Sequence, residues 1–315
     1  MATDAKDARL RAGRHTHAPS LRVYLTGGIC LEAGNRIADE RQLPGPLGRH
    51  LLAMLAAEHA RAIGHDELAE EIWHGAPPAA WAASLKALVS RIRAVITAAG
   101  LDGGSLIVGA PGVYRFVLPP DGWVDLDAAK SATHEAEGKL ANGDLTQSAQ
   151  QLFVAKLITS RPLLPGMTGQ WLERRRTDFA DLRIRALQCS ARVNLATGLF
   201  PAAVRDAQLA VNADPLRESS WWLLMDAHAG TGDLASAIAA YERCRAILDE
   251  ELGIVPSPAT RGRHAAILAR TGGDMAADGG GGWERRGRGW ERRGGGWGRG
   301  EQSGSAGNPG VPPIR

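Results

Sequence analysis

The feature of this 315-residue chain that most constrains its fold is a helical pattern that starts after Gly232 and stops at Gly253. Gly232 supplies a turn, Ala237 follows five residues later, and Tyr241 comes four residues after Ala237. This order of turn glycine, small residue and aromatic residue is typical of the second helix of a helical repeat. The pattern ends on Gly253 and then Pro256, because proline cannot continue a helix. We therefore expect a scaffold of stacked helices, which presents surfaces to partners and rarely carries out chemistry.

The spacing of turn glycines indicates an irregular helical repeat. Gly198 and Gly232 are 34 residues apart, the period of tetratricopeptide arrays, whereas Gly143 and Gly198 are 55 apart. Ala203 and Ala237 share a position at which closely crossing helices need a small side chain. The helices predicted in this half are Asp125–Leu140, Leu145–Ile158, Gln170–Thr197, Pro201–Asn212, Glu218–Ala229, Leu234–Leu252 and Ser257–Ala269.

The first half of the chain has a different order of elements. The strands predicted from alternating apolar residues are Leu21–Leu25, Ile29–Glu32 and a short one near Arg36–Leu43. The helices predicted after them are Leu47–Ala60, Asp66–Trp73 and Trp81–Ala99. A hairpin of Leu106–Val108 and Val113–Val117 closes this half. Strands, three helices and a hairpin are the layout of a winged helix-turn-helix.

The third predicted helix is the main candidate for a functional surface. Its apolar residues at helical spacing form one buried stripe, and Lys86, Ser90 and Arg93 share a flank outside it. Ala87 keeps the surface low, and Arg91 lies on the other flank. A helix face with short side chains and with basic and hydroxyl groups fits a DNA major groove. There, arginine hydrogen-bonds the edge of guanine or binds a backbone phosphate. The alternative is the solvated face of an amphipathic helix.

Several motifs resemble those of known families. Ser84–Arg93, followed by a hairpin that ends in Val113–Phe116, resembles the recognition helix and wing of the OmpR-type winged-helix domain. In the second half, Trp171–Arg176, Asp214–Glu218 and Glu251–Pro258 resemble the bacterial transcriptional activator domain. The combination, over about residues 21–270, is similar to the architecture of the Streptomyces antibiotic regulatory protein (SARP) family.

The resemblance implies an α+β winged helix-turn-helix at 21–120, followed by an all-α tetratricopeptide-like domain at 123–270. It implies a transcription regulator, expected to be an activator, that binds promoter repeats as a homodimer and contacts RNA polymerase through the helical domain. The residues expected to contact duplex DNA are Ser84, Lys86, Ala87, Ser90, Arg91, Arg93 and Arg115. Family wings often carry a charged or hydroxyl residue at the tip, whereas residues 109–112 here are uncharged. A protein-interaction scaffold whose winged helix no longer binds DNA is therefore the alternative function.

Composition excludes several other classes of function. The formal net charge is only +3, so nucleic-acid binding has to come from a local patch. The three cysteines form no CxxC pair and are expected to be free thiols in a reducing cytoplasm. No catalytic or nucleotide-binding motif is present, and we expect neither an enzyme nor a bound metal or cofactor. We also expect no membrane span. Residues 1–20 and the glycine-rich residues 271–315 are expected to be disordered.

The Arg174–Arg176 run has two interpretations. Three consecutive arginines can bind nucleic acid, but they can also lie on the solvated side of a long amphipathic helix. Pairing of these arginines with Glu173 and Asp178 is the expectation we favour.

Overall fold

A computed structural model describes residues 20–278, with side-chain burial through residue 270. It begins with a four-stranded sheet in the order β3-β2-β1-β7. The strands are β1 (Arg22–Tyr24), β2 (Cys30–Ala33), β3 (Arg36–Asp39) and β7 (Trp123–Val124). β1 and β2 are antiparallel, with Val23 opposite Leu31, whereas β7 lies parallel to β1. The sheet therefore joins the start of the chain to the first residues of the second half.

Three helices and a winged hairpin complete the first half. The helices are α1 (Gly45–Ala57), α2 (His65–Ile72) and α3 (Trp81–Ala98), followed by a single turn, α4 (Gly103–Leu106). The wing is a sheet in the order β4-β6-β5, made of β4 (Ile63–Gly64), β5 (Ile107–Ala110) and β6 (Val113–Phe116). Gly112 has a φ of +78°, a conformation that favours glycine at the hairpin turn. The predicted elements of this half are confirmed, with shifted ends.

The apolar stripe of α3 is the centre of the first core. Leu85, Val89, Ile92 and Ile96 are each at most 1% exposed. They belong to one cluster with residues of α1, α2 and the wing, so burial of this stripe fixes which face of α3 remains in solvent.

As far as residue 278, the second half contains seven helices: α5 (Asp125–Ala141), α6 (Leu145–Thr159), α7 (Gln170–Ala196), α8 (Phe200–Ala213), α9 (Glu218–Gly230), α10 (Leu234–Leu252) and α11 (Pro258–Asp278). Successive helices pack on each other from α5 through α10. Ala203 and Ala237 are fully buried, as the repeat pattern predicts. Gly253 ends α10 in the left-handed conformation.

The predicted tails lie mostly outside the described residues. The exceptions are Ser20, which hydrogen-bonds the Asp121 carboxylate, and residues 271–278, which continue α11. Residues 271–278 thus belong to a helix, whereas residues 1–19 and 279–315, on which the rest of the predicted disorder falls, lie outside the described residues.

The two halves share a core. Leu163, Leu164, Trp171 and Leu172 are buried in the same cluster as the sheet and α1. Oδ2 of Asp125, in the second half, accepts hydrogen bonds from the Leu25 and Thr26 amides and the Thr26 hydroxyl of the first half, at 2.7–2.9 Å. Burial raises the pKa of Asp125, and these hydrogen bonds lower it in part. The described residues up to Thr271 thus form one compact unit. The predicted boundary at 120–123 separates two halves whose side chains pack in the same core.

Candidate nucleic-acid interface

The solvent side of α3 carries the predicted DNA-contacting residues. Those that the structure leaves exposed are Ser84, Lys86, Ala87, Ser90 and Arg91. The Ser84 hydroxyl donates to the Ala80 carbonyl at 3.2 Å, within its own helix. Because Ala87 has only a methyl group, another backbone can approach α3 closely at this point.

Lys86 and Arg91 are the free cations of this face. Neither makes a hydrogen bond or an ion pair within residues 20–270. Most other arginines of this half are engaged, as Arg22 is with Glu32 and Arg61 with Glu67. Two unpaired cations on a low helical face leave donors for an anionic partner.

Arg93 is oriented differently from the prediction. It is half-buried, and its Nε and Nη2 both donate to the Ile107 carbonyl, at 3.0 and 2.6 Å. Arg93 therefore ties α3 to β5 of the wing. The helical spacing placed it on the flank with Lys86, but spacing alone could not show that a wing carbonyl approaches that flank.

The wing adds little charge to the surface. Residues 109–112 at its tip are exposed and uncharged. Arg115 is exposed, and its Nε donates to the His59 carbonyl at 3.4 Å. His59 Nε2 in turn lies 2.6 Å from the Asp127 carboxylate. Arg115 thus connects the outgoing wing strand to the segment after α1.

A second charged cluster lies between the end of α1, α2 and the start of α7. We call it the clamp and define it as Glu58, Glu71, Trp171, Arg174 and Arg175. The Glu58 carboxylate is only 8% exposed and accepts hydrogen bonds from Trp171 Nε1 and Arg175 Nε, both at 2.9 Å. Arg61 donates to its other oxygen at 2.9 Å. Burial alone would raise the pKa of Glu58, but these donors lower it to about 2.

Glu71 forms the other side of the clamp. Its Oε2 accepts the Trp171 backbone N–H, and its Oε1 accepts Arg174 Nη2, both at 2.9 Å. A carboxylate from α2 therefore caps the N-terminus of α7, where the helix dipole favours negative charge.

The clamp corrects the expectation for the Arg174–Arg176 run. Arg176 does pair with Glu173 at 2.8 Å, and Arg175 approaches Asp178 at 3.8 Å. Arg174 and Arg175, however, also bind the carboxylates of the first half, so this is not simply a solvated face. The signal that could have revealed it is the tryptophan beside the arginines, since a buried indole N–H needs an acceptor.

Metal sites, membrane spans and reactive thiols would point to other functional classes. Within residues 20–270, no group of three His, Cys, Asp or Glu side chains has an arrangement that could hold a metal ion. In the described part of the chain, no helix combines the length and apolar character of a membrane span. Cys189 and Cys244 are buried free thiols, and burial raises the pKa of Cys244 to about 12.

The chain is similar to known regulators of transcription. The family described as "Bacterial transcriptional activator domain" matches residues 124–268. The chain is 28% identical over 224 residues to the transcriptional regulatory protein EmbR of Mycobacterium tuberculosis. It is 30% identical over 223 residues to the regulatory protein AfsR of Streptomyces coelicolor. The chain belongs to the SARP family of transcriptional regulators.

The solved structure of a SARP relative confirms the fold. The structure of M. tuberculosis EmbR in complex with a low affinity phosphopeptide matches with a TM-score of 0.73 and 25% identity, over 83% of this chain and 70% of that one. Both sequence matches cover 71% of this chain, but 58% of EmbR and 22% of AfsR. The winged helix followed by repeat-like helices is thus shared, while both relatives are longer than the matched region.

Proposed function

We propose that this SARP-family regulator binds duplex DNA through α3 and activates transcription from promoters with repeated sites. The observation that carries the proposal is the exposed face of α3, on which Lys86 and Arg91 lack any partner within residues 20–270. The relatives' names support regulation of transcription, and the α3 surface supplies a physical means of reaching DNA.

The residues of this surface have distinct roles in the proposal. Arg91 reads a base edge in the major groove, and Lys86 neutralises a backbone phosphate. Ser84 and Ser90 supply hydroxyl contacts, and Ala87 allows close approach. Arg93 and Arg115 act by positioning the wing. Arg93 ties the wing to α3 through the Ile107 carbonyl, and Arg115 ties it to the segment after α1 through the His59 carbonyl.

A protein partner is proposed for the helical half. Phe153 and Leu157 on α6 are 71% and 53% exposed and border a groove of about 510 Å³ between α6, α7 and α8. Exposed apolar groups of this kind mark interaction sites. Because one winged helix with a neutral wing makes few phosphate contacts, two copies on a tandem site bind more tightly than one. This half pairs the two copies or holds RNA polymerase beside the site.

The DNA-binding role is tested by titrating the full chain against duplex promoter DNA at several salt concentrations. Lys86→Ala is expected to weaken binding to all DNA sequences by the same factor. It should also reduce the slope of log K against log salt by roughly 1. Arg91→Ala is expected to reduce the preference for the specific site by about 1–3 kcal/mol. Arg192→Ala, which removes an exposed arginine from α7, is the matched control. Equal binding by all four proteins would refute the groove assignment.

The pairing role is tested with tandem half-sites. Inserting about half a helical turn between them is expected to abolish the gain in affinity over a single site. Phe153→Ser should remove the gain at the natural spacing, whereas Ile37→Ser, which changes a 58% exposed residue of β3, should not. A gain retained by Phe153→Ser would assign α6 to another partner.

The neutral wing tip favours a second candidate function, a scaffold that does not bind DNA. A chain that self-associates but shows no salt-dependent binding to any duplex would support that candidate.

A further inference from the structure

A small cavity lies where α1, the end of α2 and the loop before α7 meet. Its volume is about 110 Å³, and its lining includes Arg49, His50, His74, Met167 and Thr168. It is therefore lined by both halves of the chain. It is separate from the solvent face of α3, and none of its residues has a role in the DNA-binding proposal.

His50 is the buried polar group of this cavity. The residue is 5% exposed, and its Nε2 has no hydrogen-bond partner in the structure. Buried polar atoms are almost always paired, so an unpaired one calls for a ligand or water. A Cβ atom built on Gly169 would lie 2.8 Å from His50 Cε1 and 3.4 Å from Nε2. The Cε1–Nε2 edge of the ring therefore faces the residue that precedes α7.

The start of α7 adds a second feature beside the His50 ring. α7 is 27 residues long, and Gly169 is its N-cap with no side-chain cap. The Trp171 amide donates to Glu71, but the Gln170 and Leu172 amides have no hydrogen-bond acceptor among the described residues. Unpaired amides at the positive end of a helix dipole favour an anion.

The charges around the cavity also favour an anion. Arg49 is half-buried and forms no ion pair with any residue of the described chain. The His74 ring lies 5.7 Å from the His50 ring, and Thr168, which also lines the cavity, is exposed. The neighbouring carboxylate, Glu71, is neutralised by Arg174 at 2.9 Å.

The surroundings of His50 favour the neutral imidazole, which donates a hydrogen bond, over the charged imidazolium. Burial and then His74 lower its pKa, and Glu71 opposes them in part. A neutral imidazole can still present an N–H from Nε2.

We propose that this cavity binds one oxyanion of the phosphate class, held by the Arg49 guanidinium, the His50 Nε2–H and the first turn of α7. The cavity has room for a tetrahedral oxyanion, supplied as free orthophosphate or as the head of a small phosphomonoester. The bound anion joins α1 to α7 and stabilises the contact between the halves.

The proposal is tested by thermal unfolding and isothermal titration of the full chain with sodium phosphate, against sodium chloride of equal ionic strength. Phosphate at about 100 times its Kd is expected to raise Tm by roughly 5 °C, while chloride does not. Glycerol 3-phosphate in a parallel titration identifies the source. Tighter binding of glycerol 3-phosphate than of phosphate indicates that the ligand is a phosphomonoester. Binding of phosphate but not of the ester indicates that the ligand is the free ion.

Variants decide whether the anion occupies this cavity. Arg49→Gln and His50→Leu are each expected to lose the phosphate-dependent shift and at least tenfold in affinity. Arg41→Gln, at an exposed arginine outside the cavity, is the control and should keep both. If His50→Leu does not fold, Arg49→Gln is sufficient. A shift equal to that in chloride, or one unchanged in Arg49→Gln, overturns the proposal.

Discussion

The α3 surface and the clamp use similar side chains in opposite surroundings. On α3, Lys86 and Arg91 are exposed and have no partner within residues 20–270. In the clamp, Glu58 is 8% exposed and accepts from Trp171, Arg175 and Arg61. The carboxylates of the clamp are largely buried and are paired, whereas the two cations of α3 are exposed and unpaired within residues 20–270. Substitutions in the two places should therefore separate stability from DNA binding.

The largest effect is expected from cutting the chain at residue 120. Val124, Leu163, Leu164, Trp171 and Leu172 belong to the core of the first half, although they follow the cut. Burial of each contributes about 1.5–3 kcal/mol, so their loss is comparable to the typical 5–15 kcal/mol stability of a domain. Residues 20–120 should show no cooperative unfolding by circular dichroism, while residues 20–278 should unfold cooperatively. A cooperative melt of the short fragment would show that the winged helix folds independently.

A smaller loss is expected when the clamp is broken at Glu58. Glu58→Ala leaves Arg175 and the buried Trp171 indole without their acceptor, which should lower the free energy of unfolding by about 3–5 kcal/mol. The control is Glu173→Ala, since Glu173 is 63% exposed and its pair with Arg176 is worth about 0–1 kcal/mol. Urea denaturation at pH 7 measures both. Equal effects from the two variants would contradict a structural role for the clamp.

The contribution of Glu58 should also depend on pH. Its pKa is lowered from 4.5 to about 2 in the folded chain, so the folded state favours the ionised carboxylate. The stability that this provides is present above the unfolded pKa of 4.5 and is lost as pH falls toward 2. The difference in unfolding free energy between the unmodified chain and Glu58→Gln should therefore be constant at neutral pH and shrink in acid. A difference that stays level down to pH 2 would mean that the pKa of Glu58 is not lowered.

The smallest effect on stability is expected at α3 itself. Lys86→Ala and Arg91→Ala remove exposed side chains without partners, so unfolding free energies should change by no more than about 0.5 kcal/mol. The same two proteins should lose DNA affinity or site preference. A large drop in Tm for either would place that side chain in an unrecognised structural contact.

The part of the fold that could be predicted from sequence is the part set by local periodicity. The stripe of Leu85, Val89 and Ile92 predicts both the α3 helix and its solvent face, because helical spacing alone determines them. The repeat register at Ala203 and Ala237 follows in the same way.

The clamp and the wing anchor could not be predicted, because they depend on distant contacts. Glu58 and Arg175 are separated by 117 positions, and no local pattern brings them together. Trp123 and Val124 were not predicted as a strand, and they form one because β1 provides a parallel partner. Arg93 has the spacing of a DNA-contacting residue, and only the fold shows that the Ile107 carbonyl takes its donors.

The length of α7 gives the clamp a mechanical consequence. At 27 residues and 1.5 Å per residue, the helix is roughly 40 Å long. Its first turn is fixed to α1 and α2, while its last turns pack among the repeat helices. A pivot of about 5° at the clamped end displaces the far end by roughly 3.5 Å over that length. α7 therefore couples the clamp to the repeat helices, because a tilt at its clamped first turn moves its last turns, and the displacement grows with distance along the helix.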